Sequence, residues 1–191
     1  MLDKYNIGKE YYRNKKYQKA YKVFFELANL GDANAQVSLA TMLYNGTGVN
    51  LDIERAYYWY KIAAKQNNAE ALYYCSMYYL EDIGKVAIGK KYLEKSVELN
   101  YALAITAYAY YYEYGDHGYE KNKDKAIVLY KKACLLEDSG ACLNLYSLMN
   151  GQNMREELRE FIKREIGYLK YLKIILKDNW RNCFSLFFSK A

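Results

Sequence analysis

Two rows of small residues recur along this chain at a spacing that few folds produce. The first row is Ala35, Ala71, Ala104 and Ala141, and the second is Ala20, Ala56, Gly89 and Ala126. Successive members of each row are 36, 33 and 37 residues apart. Periods of this size are typical of stacked helix pairs, in which small side chains let neighbouring helices approach closely. The spacing therefore predicts an array of repeated helix pairs.

The number of residues between the two rows is constant across one kind of turn and varies across the other. Each second-row residue precedes the next first-row residue by fifteen positions, whereas the step inside a repeat varies between 21, 18 and 22. In a solenoid the turn between repeats sets the stacking geometry, while the loop inside a repeat accepts insertions on one face. The variable step is therefore assigned to the loop inside each repeat.

Composition favours an all-α protein. The 191 residues contain no Pro, and 52% are hydrophobic against 26% charged. Turn-rich β architectures normally need Pro and Gly as punctuation, and a chain this apolar can bury a core. We therefore expect long, uninterrupted helices in a folded protein.

Individual residues resemble known repeat families. The stretch Ala33–Val49, followed by Asp52, Arg55–Ala56 and Trp59–Ala64, resembles the Sel1-like repeat almost throughout. A weaker copy keeps Ala104, Ala109, Gly115, Lys125–Ala126 and Tyr130–Ala133, and the intervening copy has Asp82 and Gly89 where Gly and Ala are usual. Residues 1–32 resemble a tetratricopeptide unit through Gly8, Tyr11, Tyr17, Ala20 and Phe24.

The resemblance implies a right-handed α/α solenoid whose first helices line a concave surface that holds protein partners. The repeats are expected at 1–32, 33–68, 69–101 and 102–139, with a half repeat at 140–151 that completes a region of 1–151. Residues 152–191 hold nine Lys/Arg against five Asp/Glu. We expect this basic segment to form capping helices that pack through Leu158, Phe161, Ile162, Leu169 and Leu172, leaving Arg155, Arg159, Lys163 and Lys170 in water.

Tyrosine is unusually abundant, with 25 residues in the chain, and this abundance points to a binding surface. Tyr and Arg often carry the energy of protein interfaces. If first helices line the concave surface, positions offset from the core seam form the predicted partner-binding set. This set comprises Tyr5, Lys9, Tyr12, Arg13, Thr41, Tyr44, Asn45, Tyr73, Met77, Tyr110, Glu113 and Tyr114. The alternative is that several of these tyrosines belong to the core.

The sequence lacks the residue patterns that catalytic sites and cofactor sites need. The one histidine, His117, has no second His or Cys at metal-ligand spacing and no Ser–His–Asp set to complete. Gly46 and Gly48 lie between predicted helices and do not form a phosphate loop. We therefore predict no enzyme activity, no cofactor and no metal. The lysines of the first repeat are interpreted as a solvated helix face, because no nucleic-acid-binding fold accompanies them.

The four cysteines leave one question open. Cys75 and Cys183 are interpreted as packing residues, whereas Cys134 and Cys142 lie eight apart across a predicted helix-to-helix turn. That spacing resembles the secreted, cysteine-rich branch of the Sel1-like family, in which such a pair forms a disulfide. Free thiols are the alternative, and they are the state that a cytoplasmic chain favours.

The predicted function is protein–protein interaction on the concave face. The start of the chain lacks the pattern of a secretory signal, which indicates a cytoplasmic protein. One alternative is a bacterial immunity protein that neutralises a toxin, and another is an adaptor within a larger assembly. A third is an exported, cysteine-rich protein that acts on cell-wall or β-lactam compounds.

Overall fold

The computed structural model describes residues 3–149, 157–158, 160–167 and 170. Across these residues it contains helices and no strand, which confirms the all-α prediction. The chain divides into two compact units, an N-terminal unit Met1–Tyr101 and a C-terminal unit Ala102–Ala191.

The N-terminal unit is a stack of helix pairs. Its helices are α1 (Lys4–Arg13), α2 (Tyr17–Asn29), α3 (Ala33–Asn45), α4 (Ile53–Lys65), α5 (Ala69–Met77) and α6 (Val86–Glu98). Each helix packs mainly against its neighbours in the chain, as in solenoid proteins. The first helices of the three pairs are therefore α1, α3 and α5.

Asp and Asn side chains set where several of these helices begin. Asp32 accepts a hydrogen bond from the Ala35 amide at the start of α3, and Asn68 accepts one from the Ala71 amide at the start of α5. Such caps satisfy backbone N–H groups that have no partner within the helix. The Asn68 side chain also donates to Asn34 Oδ1 over 3.1 Å, and this bond joins the start of α5 to α3.

The rows of small residues form the seams between helices. Ala20, Ala35, Ala56 and Ala71 are all 0% exposed. Gly89, the exception in its row, packs under a π-helical turn, Tyr78–Asp82, that follows α5. A Cβ atom at Gly89 would lie 2.5 Å from Leu80 Cγ and 3.0 Å from the Leu80 amide nitrogen. The third pair therefore uses Gly because Leu80 occupies the space that the methyl group of Ala fills in the other pairs.

The C-terminal unit begins with α7 (Ala102–Tyr114), α8 (Lys123–Leu135) and α9 (Ser139–Leu148). Ala104, Ala126 and Ala141 are fully buried in its seams. Cys134 at the end of α8 and Cys142 in α9 form a disulfide with a Cα–Cα distance of 4.9 Å. The sequence left a disulfide and free thiols as alternatives for this pair, and the structure has the disulfide. Cys75 is a buried free thiol, and Cys183 lies outside the described residues.

Part of the basic C-terminal segment is described. Leu158, Phe161 and Ile162 are buried, and Lys131 of α8 contacts Glu157 over 2.6 Å. Lys163 and Lys170 are exposed, and Lys170 pairs with Glu137 over 2.9 Å. The predicted packing of Leu169 and Leu172, and the predicted exposure of Arg155 and Arg159, lie outside the described residues.

Candidate functional site

A cavity of about 290 Å³ opens on the first helices of the N-terminal unit. We call it the first-helix cavity. It is lined by Tyr5, Lys9, Tyr12, Arg13, Phe24, Val37, Ser38, Thr41 and Glu70. Side chains from α1, α3 and α5 meet there, with Phe24 contributed by α2. Five members of the predicted partner-binding set, Tyr5, Lys9, Tyr12, Arg13 and Thr41, are thus brought together.

The α1 side of the cavity carries aromatic rings and cations. Tyr5, Lys9, Tyr12 and Arg13 share one helix face because they are separated by three or four positions. The Tyr5 ring packs on Phe24 with centroids 5.6 Å apart, and its hydroxyl lies 3.0 Å from Ser38 Oγ. Lys9 Nζ lies 5.7 Å from the centre of the Tyr5 ring. These contacts hold Tyr5 in place at the boundary between α1 and α3.

Gly8 lets α1 sit close to the floor of the cavity. A Cβ atom at Gly8 would lie 2.6 Å from Phe24 Cε1 and 3.1 Å from Val23 Cγ1. Since real Cβ atoms do not approach carbon this closely, any larger residue would displace the Phe24 ring or the helix. Gly8 therefore allows α1 to pack directly on Phe24, which is part of the cavity lining.

The α3 side offers hydroxyl groups above an apolar base. Val37 is buried, and the Thr41 hydroxyl lies 2.9 Å from the hydroxyl of Tyr60 on α4. Tyr60 is 0% exposed, and burial raises its pKa. Because this pair links the lining to the core, the position of Thr41 depends on the packing of α4.

Glu70 closes the cavity on the α5 side. Its side chain is half-buried, and among the described residues it makes no hydrogen bond or ion pair. Burial raises the pKa of the Glu70 carboxyl group, because a carboxylate loses hydration when it is removed from water. Glu70 was not singled out from the sequence, since a carboxylate in the first turn of a helix is an ordinary helix-dipole partner.

The other predicted residues lie away from this cavity. In the N-terminal unit, Tyr44 and Asn45 are exposed near the end of α3, and Tyr73 packs on Tyr74 and Tyr101 with centroids 5.4 and 5.6 Å away. Met77 is half-buried at the end of α5. None of these four side chains lines the first-helix cavity.

Three predicted residues belong to the C-terminal unit and form a separate cluster on α7. The rings of Tyr110 and Tyr114 are 4.5 Å apart between centroids. The buried Tyr130 hydroxyl donates a hydrogen bond to Glu113 Oε2 over 2.9 Å. Glu113 is therefore engaged with the core of its own unit.

The described residues offer no metal site. No group of three or more His, Cys, Asp or Glu side chains is arranged to hold a metal ion in that part of the chain. His117 packs edge-on against Tyr111, with ring centroids 4.6 Å apart. In the same part of the chain, no helix has both the length and the apolar character that crossing a bilayer requires.

Comparison with known proteins identifies the repeats. The model of the Sel1 repeat matches residues 33–68 and 102–138. No curated protein matches the sequence of the chain.

Solved structures show the same fold. A protective antigen of uropathogenic Escherichia coli, described as displaying an SLR fold, superposes with a TM-score of 0.69 at 24% identity, over 84% of this chain and 36% of that protein. A Sel1 repeat protein from Oxalobacter formigenes superposes with a TM-score of 0.67 at 27% identity, over 80% of this chain and 62% of that protein. The present chain thus spans less than two thirds of either relative.

Sel1 repeats generally mediate protein–protein interactions. The matched segments, 33–68 and 102–138, contain α3–α4 and α7–α8, which are two of the helix pairs described above. Residues 33–68 and 102–138 therefore match the Sel1 repeat, and the chain has the helical fold of solved Sel1-repeat proteins.

Proposed function

We propose that this chain is a non-catalytic binding module and that the first-helix cavity receives a side chain of a protein partner. The observation that supports this proposal most directly is the convergence of three first helices on one cavity. Tyr5, Tyr12 and Arg13 bring to it the residue types that most often dominate interface energies. Rigid aromatic side chains also lose little conformational freedom when a partner docks.

The size of the cavity fits this role. A volume of about 290 Å³ lies near the lower end of ligand pockets, which range over roughly 300–1,000 Å³. One large side chain of a partner would fill it, and the exposed faces of α1 and α3 around it would provide the surrounding contact area. A toxin neutralised by this chain would be one partner of this kind, and an assembly component would be another.

Affinity purification from the native host tests the proposal. The wild-type chain and its Tyr12→Ala variant serve as baits, with Tyr58→Ala as the matched control. Tyr58 is 58% exposed on α4 and does not line the cavity. We expect the partner to be recovered with wild type and the control, and to bind Tyr12→Ala about 30-fold more weakly in calorimetry. Equal affinity for a correctly folded Tyr12→Ala variant would contradict the proposal.

The disulfide bears on where the chain works. We infer that it functions in an oxidising compartment, because structural disulfides persist there and are rare in the reducing cytoplasm. The cytoplasmic location predicted from the start of the sequence is the competing hypothesis. Alkylation of thiols in intact host cells, followed by mass spectrometry, distinguishes the two: unmodified Cys134 and Cys142 support the oxidising compartment, and alkylated cysteines support the cytoplasm.

A further inference from the structure

The lining of the first-helix cavity is polarised. Lys9 and Arg13 stand on its α1 side, and neither forms an ion pair with another described residue. Glu70 stands on its α5 side, also without an ion pair among those residues. The helix between them is α3, since Ser38 contacts Tyr5 of α1 and Asn34 contacts Asn68 at the start of α5. Positive and negative charge therefore face the cavity from opposite sides.

The middle of the cavity is apolar. Phe24 is 2% exposed and Val37 is 4% exposed, so the apolar surface still open to water is mainly that of the half-buried Tyr5 and Tyr12 rings. A partner side chain that removes water from this surface gains free energy in proportion to the apolar area covered. The hydroxyl groups of Ser38 and Thr41 are already hydrogen-bonded, to Tyr5 and Tyr60, so the central region favours an apolar anchor.

The charge around the α1 side extends well beyond the cavity. Residues 3–29 contain three acidic residues, Asp3, Glu10 and Glu26, against seven basic ones. The basic residues are Lys4, Lys9, Arg13, Lys15, Lys16, Lys19 and Lys22. Only Lys4 and Glu26 pair with each other among the described residues of this segment. An acidic group of a partner is therefore attracted to the α1 side at long range as well as at contact.

Glu70 favours a positively charged group of a partner. Its carboxylate is half-buried, its electrostatic neighbours on α4 and α5 include Tyr60 and Tyr74, and the cations Lys9 and Arg13 line the same cavity from α1 without pairing with it. A buried carboxylate is stabilised when a cation or strong donor reaches it. A basic side chain of a partner supplies both the charge and the hydrogen bonds.

We infer that, if the cavity is the binding site proposed above, its ligand is a peptide segment with an aromatic or large aliphatic anchor flanked by an acidic residue on one side and a basic residue on the other. The anchor fills the space between Tyr5, Phe24 and Val37. The acidic residue pairs with Lys9 and Arg13, and the basic residue pairs with Glu70. The segment binds in one orientation, because reversing it places like charges together at both ends.

Selection from a random displayed peptide library tests this specificity. The oxidised 191-residue chain is the bait, and its Lys9→Glu/Arg13→Glu and Glu70→Lys variants are selected in parallel. Wild type is expected to enrich peptides with opposite charges on the two sides of the anchor. Glu70→Lys is expected to enrich an acidic residue in place of the basic one, and Lys9→Glu/Arg13→Glu a basic residue in place of the acidic one.

Synthetic versions of an enriched peptide provide the quantitative arm. Replacing its basic residue by Gln is expected to weaken binding to wild type about tenfold or more, and to leave binding to Glu70→Gln nearly unchanged. Enriched peptides without the paired charges, or identical selection by Glu70→Lys, would overturn the charge assignment while leaving the cavity as a binding site. Peptides that bind Tyr12→Ala as well as wild type, or no enrichment at all, would reject the cavity itself.

A nucleic acid is the competing occupant of the basic α1 side. A single-stranded oligonucleotide would need the cations and have no use for Glu70. Displacement of the selected peptides by such an oligonucleotide, with affinity lost in Lys9→Glu/Arg13→Glu but not weakened in Glu70→Lys, would overturn the inference.

Discussion

The backbone of Gly8 lies so close to Phe24 that a Cβ atom would come within 2.6 Å of the Phe24 ring. Gly8→Ala is therefore expected to destabilise the N-terminal unit by about 1–3 kcal/mol through overpacking, even though Ala is the better helix former. Urea unfolding measures the change. Gly140→Ala is the matched control, because its Cβ would meet only one side-chain oxygen, Asp138 Oδ1, at 3.2 Å. Similar stability changes in the two variants would contradict the assigned role of Gly8.

The hydroxyl pair of Thr41 and Tyr60 gives a second prediction. Thr41→Val leaves the buried Tyr60 hydroxyl without its 2.9 Å partner, and we expect a loss of about 1–3 kcal/mol in the free energy of unfolding. Tyr60→Phe removes the other half of the pair. In a double-mutant cycle the combined variant should be more stable than the sum of the single changes predicts. Strict additivity would show that the two hydroxyls do not stabilise each other.

Glu70 should make stability depend on pH. Its pKa is raised in the folded state, so the folded protein binds the proton more tightly than the unfolded chain does. The free energy of unfolding should therefore fall as pH rises from the ordinary carboxyl pKa of about 4.5 through the raised folded pKa. Glu70→Gln should remove this fall and be more stable than wild type above that window.

Urea unfolding at a series of pH values measures the Glu70 effect. Glu94→Gln is the control, since Glu94 is an exposed carboxylate on α6 outside the cavity. If wild type and Glu70→Gln follow parallel stability curves throughout, the carboxylate is not destabilised by burial. Addition of a ligand with a basic side chain should shift the fall of the wild-type curve, because pairing favours the charged form of Glu70.

The disulfide of the C-terminal unit should contribute about 2–3 kcal/mol, the value expected for a short closed loop. Reduction of wild type and the variant Cys134→Ser/Cys142→Ser should both lower the thermal midpoint, and reduction should have no further effect on the variant. Differential scanning calorimetry with and without reductant measures this. Wild type that melts identically under both conditions would show that the bond does not stabilise the unit.

The fold could be predicted because the same pattern of small residues occurs several times along the sequence. Ala35 and Ala71 are buried in equivalent seams, so each copy of the small-residue row supports the assignment of the others. The sequence shows that repeat 69–101 departs from the pattern at Asp82 and Gly89, but the structural form of this departure could not be predicted. The π-helical turn after α5 depends on how Leu80 packs against Gly89, and no residue in isolation encodes that contact.

The candidate site was only partly predictable. The α1 residues Tyr5 and Arg13 follow from helical spacing, since they lie on one exposed face. Glu70 does not, because its partial burial depends on the neighbouring helices, and the side chains that share its cavity come from α1, α2 and α3. Tyr73 belongs to the predicted set but does not line the cavity, and its ring packs on Tyr101, a residue 28 positions further along the chain.

The close packing of Leu80 on Gly89 means that these two positions cannot change independently. An Ala at position 89 would collide with Leu80, and a Leu at position 80 would be excluded wherever position 89 is Ala. Homologous chains are therefore expected to change both positions together, and those that keep Ala at 89 should carry a smaller residue at 80. Covariation of this pair would record how one repeat diverged while the stack around it was preserved.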